Sequence, residues 1–225
     1  MENFEMKQVL SRYYVDGAHG MVYSFEEFKA LGIDPDFIYC LLGLFEDPEE
    51  FTVTNFDRFS LHVIIDYVRK THQYYLFKKL PEIEQSIHLL ISAYPLAHPL
   101  LVVLHNFFAD YQRDLTRHIE IEEKHLLPHI TSLLLLQQTS GVVPGTESSY
   151  SIRRFFEQHH DTERDLREVR EAMIQYDPPA TNQTLYRILL SQLQVLEKDL
   201  AIHAIIEDKV LVPRAIELEK KLTNG

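Results

Sequence analysis

The chain has 225 residues, 45% hydrophobic and 25% charged, and its 34 acidic against 22 basic side chains give a formal charge of −12. That is the composition of a globular protein with a real core, and its acidity argues against nucleic acid or anionic membrane as a partner. A single cysteine excludes an internal disulfide framework and the usual four-thiolate zinc or iron–sulfur sites, which leaves the 12 histidines as the unusual feature.

The opening, MENFEMKQVL, has neither a basic nor an apolar leader segment, and no run approaches the roughly 18 apolar residues of a membrane span. A reducing cytoplasm is the expected location. Residues 1–57 hold four of the seven glycines, the only cysteine and two proline-marked turns, Asp34-Pro35 and Asp47-Pro48. They read as a small helical domain with helices near 6–14, 24–30 and 36–44. Ser24 followed by Glu27 is a candidate capping box for the second of these.

Residues 58–225 read as four long helices. The first covers about 60–91, with apolar residues at mixed i+3/i+4 spacing and a kink expected at Pro81. The segment SAYPLAHP is a turn that starts the second helix, about 100–137, which Pro128 should bend or end. The stretch TSGVVPGTESS is the clearest linker in the chain. The third helix covers about 151–175 and stops before Asp177-Pro178-Pro179; the fourth covers about 183–220 with Pro213 inside it. The expected fold is all-α, an antiparallel four-helix bundle preceded by the small helical domain.

One internal repeat stands out. Both His118–Pro128 and His203–Pro213 read H-x-x-I-E-[ED]-K-x-L-x-P, at an offset of 203 − 118 = 85. Within each copy His and Glu are four apart, so the two side chains leave one helix face about 6 Å apart along the axis. An imidazole and a carboxylate so placed can converge on a metal ion. Two copies supply two of each, enough for two carboxylates to bridge two ions that each keep an imidazole. A single H-x-x-x-E on an acidic helix is usually a solvated pair, but two copies sharing the flanking Ile, Lys, Leu and Pro are hard to dismiss so. The neighbours Ile121, Leu126, Ile206 and Val210 suggest that this face turns inward. A pseudo-twofold between helices two and four predicts an inward histidine on helices one and three as well. The candidates are His62, His72 and His88 on the first, and His159 and His160 on the third. Mixed imidazole and carboxylate without thiolate fits iron or manganese, and the donor set alone admits zinc.

These residues resemble a known family. The paired H-x-x-x-E, the His-Asp of QHHDTERDL and the closing LVPRAIE are similar to the hemerythrin-like di-iron proteins, in particular the repair-of-iron-centres branch. The resemblance covers about residues 60–218. It implies a centre of two iron ions in which His118 and His203 are terminal ligands and Glu122 and Glu207 bridge. It implies His160 as the helix-three ligand and His72 as the helix-one ligand, with Gln73 the alternative on an ungapped reading. The family's remaining ligand precedes helix two, where this chain has Tyr94, four residues before His98-Pro99; a tyrosinate, His98 or an open position are the three alternatives there. More loosely, residues 1–57 resemble the small domain that precedes the bundle in that family, but Gly17-Ala18-His19-Gly20 stands where its paired cysteines would be.

The function so implied is a response to nitrosative or oxidative stress: repair of iron–sulfur centres, or binding of NO, O₂ or peroxide. The implied partners are such a small ligand and damaged iron–sulfur proteins, without nucleic acid or membrane; a homodimer and an enzymatic role both stay open. The alternatives are an O₂ or NO sensor that signals through residues 1–57, and a helical interaction module with a degenerate metal site. Elsewhere, Cys40 reads as a buried small hydrophobe, His125 and His129 as packing or outer residues, and His62, His88 and His105 as surface or core-edge. Tyr74, Tyr75 and Tyr111 are candidates to hydrogen-bond carboxylates around the site, although aromatics at this spacing are usually core.

Overall fold

The computed structural model describes residues 4–13, 25–30, 32–93, 99–139, 151–157, 167, 170–171 and 183–223. The protein is an all-α helical bundle, with no strand among the described residues. The described helices are α1 (Phe4–Ser11), α2 (Phe25–Ala30), α3 (Pro35–Glu46), α4 (Leu61–Tyr74), α5 (Leu80–Ala93), α6 (Pro99–Ile121), α7 (Leu127–Gln138), α8 (Ile152–Glu157), α9 (Gln183–Ile206) and α10 (Val212–Thr223). Short 3₁₀ turns occupy Pro48–Glu50 and Val53–Asn55.

The Asp-Pro pairs of the amino-terminal part are helix starts. Asp34 caps α3, its carboxylate accepting from the backbone N–H of Asp36 at 3.0 Å and of Phe37 at 3.2 Å, while Pro35 fills a first-turn position whose N–H has no helical use. Asp47 does the same for the turn at Pro48, accepting from Glu49 N–H at 3.1 Å.

The prolines in the long helices act in a way that periodicity does not reveal. Each is preceded by a π-turn: Tyr75–Lys79 before Pro81, Glu122–Leu126 before Pro128 and Glu207–Leu211 before Pro213. A proline ring in a regular α-helix collides with the carbonyl four residues back. Here that carbonyl, of Phe77, Lys124 or Lys209, lies inside the widened turn, which gives it room. In the third case the Val212 N–H bonds the Glu207 carbonyl, the i→i+5 pattern. The expected kinks therefore take the form of one-turn widenings, after which the helix resumes.

The chain divides into two compact units. The first comprises 1–74, 126–157 and 202–225. Its core gathers Phe28, Phe37, Ile38, Leu41 and Phe45 with Ile64, Tyr67 and Val68, and with Leu127, Ile130, Ile206, Val210 and Leu211. Phe37 meets the rings of Phe56, Phe59 and Tyr67 edge-on at 5.9, 5.1 and 5.6 Å. Arg214 donates to the carbonyls of Phe56 at 3.1 Å and Phe59 at 2.8 Å, tying α10 to the segment ahead of α4. The second unit comprises 75–125 and 158–201. Its buried stripes are Leu80, Ile83, Ile87 and Leu90 on α5, Leu101, Leu104, Phe108, Tyr111 and Leu115 on α6, and Tyr186, Leu189, Leu193, Leu196 and Leu200 on α9. Each stripe steps by three and four residues, the signature of one buried helix face. Glu197 of α9 accepts from Arg167 at 3.2 Å and from Arg170.

Candidate metal centre

Each of the five described residues of the implied ligand set sits beside one of the π-turns. His72 lies three residues before the turn at Tyr75; Glu122 and Glu207 each open one; His118 and His203 lie one α-helical turn earlier. The repeat in sequence is thus a repeat in backbone, since both turns span five residues from the glutamate and end two before the proline.

In the first unit, His72 and His203 are buried and their rings meet at 5.1 Å and 71°. His203 Nε2 stands 3.5 Å from Glu207 Oε2. In the second unit, His118 Nε2 lies 2.9 Å from Glu122 Oε1, and Glu122 is 0% exposed. Each unit thus pairs an imidazole with a buried carboxylate one helical turn away, His203 with Glu207 and His118 with Glu122.

The chemistry of this donor set fits a cation. Ionised carboxylates are almost never fully buried without compensation, because their desolvation is worth several kcal/mol. Glu207, at 3% exposure, and Glu122 are both deeply buried, each beside an imidazole. A neutral imidazole offers a dipole and not a charge, whereas a divalent ion would neutralise the carboxylate it meets. Nitrogen and oxygen donors without sulfur suit iron, manganese or zinc.

Of the six expected ligands, His72, His203 and Glu207 lie in the first unit and His118 and Glu122 in the second. His160, the sixth, lies outside the described residues, as do His159, Tyr94, His98 and the segment Gly17–Gly20. On helix one, His72 is buried and Gln73 exposed. Of the four neighbours expected to face inward, Leu126, Ile206 and Val210 are buried but Ile121 is exposed. The reason is that the first copy has solvent along a flank that the core covers in the second. His62, His88 and His125 are exposed; His88 stacks on His105 with rings 5.1 Å apart, and His129 Nε2 pairs with Glu219 Oε1 at 2.8 Å. Cys40 is half-buried rather than buried, because its sulfur accepts from Arg58 Nη2 at 3.2 Å.

One buried polar pair lies in the second unit. Tyr75 Oη donates to Asp199 Oδ1 at 2.9 Å. Tyr75 was among the tyrosines expected to bond a carboxylate; Asp199 escapes the eleven-residue repeat because it stands one turn upstream of it. The signal is present in the sequence: Asp114-Leu-x-x-His118 and Asp199-Leu-x-x-His203 extend the duplication by a turn.

No protein-family model matches the chain. It is similar to the iron-sulfur cluster repair protein ScdA of Staphylococcus haemolyticus (strain JCSC1435), with 22% identity over 148 residues. The match spans 66% of this chain and 64% of that relative, less than two thirds of the relative's length. This distant homologue bears out the resemblance to the repair-of-iron-centres branch that the motifs carry.

Proposed function

We propose that this protein holds two iron ions at a carboxylate-bridged centre and acts in the repair of iron–sulfur centres under nitrosative or oxidative stress. The observation that carries the proposal is the duplicated pair of imidazole and buried carboxylate, His118 with Glu122 and His203 with Glu207. Two such pairs supply the two carboxylates and two imidazoles that a bridged pair of ions needs. His72 and His203 would serve one ion and His118 the other, with Glu122 and Glu207 bridging and His160 completing the set. Bound there, iron would supply a site for NO, O₂ or peroxide, or would itself be the cargo delivered to a damaged cluster. The similarity to a protein named for iron–sulfur cluster repair supports the second role. In this reading residues 58–225 are the metal-binding bundle and residues 1–57 a small domain ahead of it. No helix of the described residues is long and apolar enough to cross a membrane.

The chain's own part is to bury the donors, keep water from the carboxylates and hold the imidazoles in place. Anaerobic loading with ferrous iron tests the first half: about two ions per chain are expected, with oxo-bridge absorption on oxidation. Adding the loaded protein to an NO-damaged iron–sulfur enzyme tests the second: recovered cluster absorbance supports repair. Failure to bind iron would overturn the whole reading, and binding without recovery would leave only the ligand-binding role.

One contact favours a sensor as the second reading. Arg12, after α1, is buried among the rings of Phe45, Tyr67 and Tyr74, 5.3, 5.6 and 5.2 Å from their centroids. Tyr67 and Tyr74 belong to α4, which also carries His72, so a shift of α4 on ligand binding would reach α1 directly. An NO-dependent change in binding to a partner protein, lost in Arg12→Ala, would favour this reading.

A further inference from the structure

Tyr75 is fully buried, and Asp199 is 1% exposed. Burying a carboxylate against a phenol is not in itself a stabilising choice, since apolar residues of similar volume generally do as well or better. The pair's position gives it another use. Tyr75 follows His72 by three residues along α4 and its π-turn, and Asp199 precedes His203 by four on α9. The same two helical strands therefore touch twice, a turn apart: ring on ring at His72 and His203, and hydroxyl on carboxylate at Tyr75 and Asp199. The first contact is soft and tolerates sliding. The second is directional and charge-assisted, which fixes a distance. The first copy of the repeat lacks a buried equivalent, because Asp114 is exposed.

We infer that Tyr75 and Asp199 are positioning residues of the metal centre, whose hydrogen bond holds α4 and α9 at the spacing that brings the His72 and His203 imidazoles onto one ion. This rests on the proposed function in requiring that a metal binds there. Residues around a metal's ligands commonly alter its affinity by about 10–100-fold, and a merely structural pair would instead alter the stability of the metal-free protein.

The test uses the full chain, ferrous iron alone as the probe, and three variants: Tyr75→Phe, Asp199→Asn and Asp199→Leu. Iron affinity is read by competition with a chelator, the ferric absorption spectrum is recorded, and the metal-free protein is melted in parallel. Tyr75→Phe and Asp199→Leu are expected to bind iron about 10-fold or more weakly, with an altered spectrum and a metal-free melting temperature close to wild type. Asp199→Asn keeps an acceptor oxygen and should restore most of the affinity. Unchanged affinity and spectrum in Tyr75→Phe would overturn the inference. So would a loss in Asp199→Asn as large as in Asp199→Leu, or melting temperatures that fall in step with affinity. If Asp199→Leu does not fold, Tyr75→Phe and Asp199→Asn decide the matter. Wild-type protein that takes up no iron defeats the proposed function and this inference together, whereas equal binding by wild type and variants defeats the inference alone.

Discussion

The two copies of the repeat have one backbone and two environments. Each runs from His through a π-turn to Pro, and in each the Lys and Pro are exposed and the Leu is buried. At several other positions they part. Ile206 is buried where Ile121 is exposed, Val210 is buried where His125 is exposed, and Asp199 is buried where Asp114 is exposed. Even the residue after the proline changes partner: His129 pairs with Glu219, while Arg214 grips two backbone carbonyls. Local spacing thus dictates the turn and the pairing of imidazole with carboxylate, and the surroundings decide how deep each copy lies.

The most severe way to break this comparison is at the glutamates. In the proposed centre Glu122 and Glu207 both bridge. Glu122→Ala and Glu207→Ala should therefore each lower iron uptake, and the double variant should lose nearly all of the two ions. Metal analysis of the purified variants checks this; full iron occupancy in the double variant would refute the bridging role.

The next largest effect is on stability. Ile206→Ala leaves a cavity in the core and should destabilise by about 2–5 kcal/mol, whereas Ile121→Ala at the matching position should stay within about 0.5 kcal/mol. Chemical denaturation of the metal-free variants measures both. Similar values would mean that the copies are equally buried in solution.

A smaller difference is expected after the prolines. Arg214→Ala strands the Phe56 and Phe59 carbonyls and should destabilise by about 1–3 kcal/mol. His129→Ala, which removes a half-exposed pair, should remove about 0–1 kcal/mol. The same denaturation experiment sharpens the contrast. Smallest of all is a kinetic difference. Metal held by the more exposed His118 should leave to a chelator before metal held by the buried His72 and His203, giving two phases in stopped-flow extraction. His118→Ala should eliminate the fast phase.

The helices were legible because their apolar stripes keep a strict three-and-four step, as on α6 and α9. The motif was legible because duplication at a fixed offset is unlike chance. The π-turns were not, since the proline that marks them usually announces a kink, and a widened turn leaves no apolar period of its own. Depth was not legible either. Ile121 and Ile206 sit in the same local code, and only packing from elsewhere in the chain separates them. The same holds for Asp114 and Asp199, whose matching positions conceal that one of them meets a tyrosine far away in sequence.

The π-turns also constrain how this chain can change. A turn that holds one extra residue leaves the helix beyond it rotated by about 100° relative to an uninterrupted one. Deleting a single residue from Glu122–Leu126 would restore a plain α-helix and leave Ile130, Leu133 and Leu134 of α7 on the face they now present, because the loss of one residue cancels that rotation. The proline downstream would however regain its collision. The widened turn is therefore held in place by its proline: it cannot be lost without penalty while the proline stays. A lineage in which the turn disappears should have lost the proline as well.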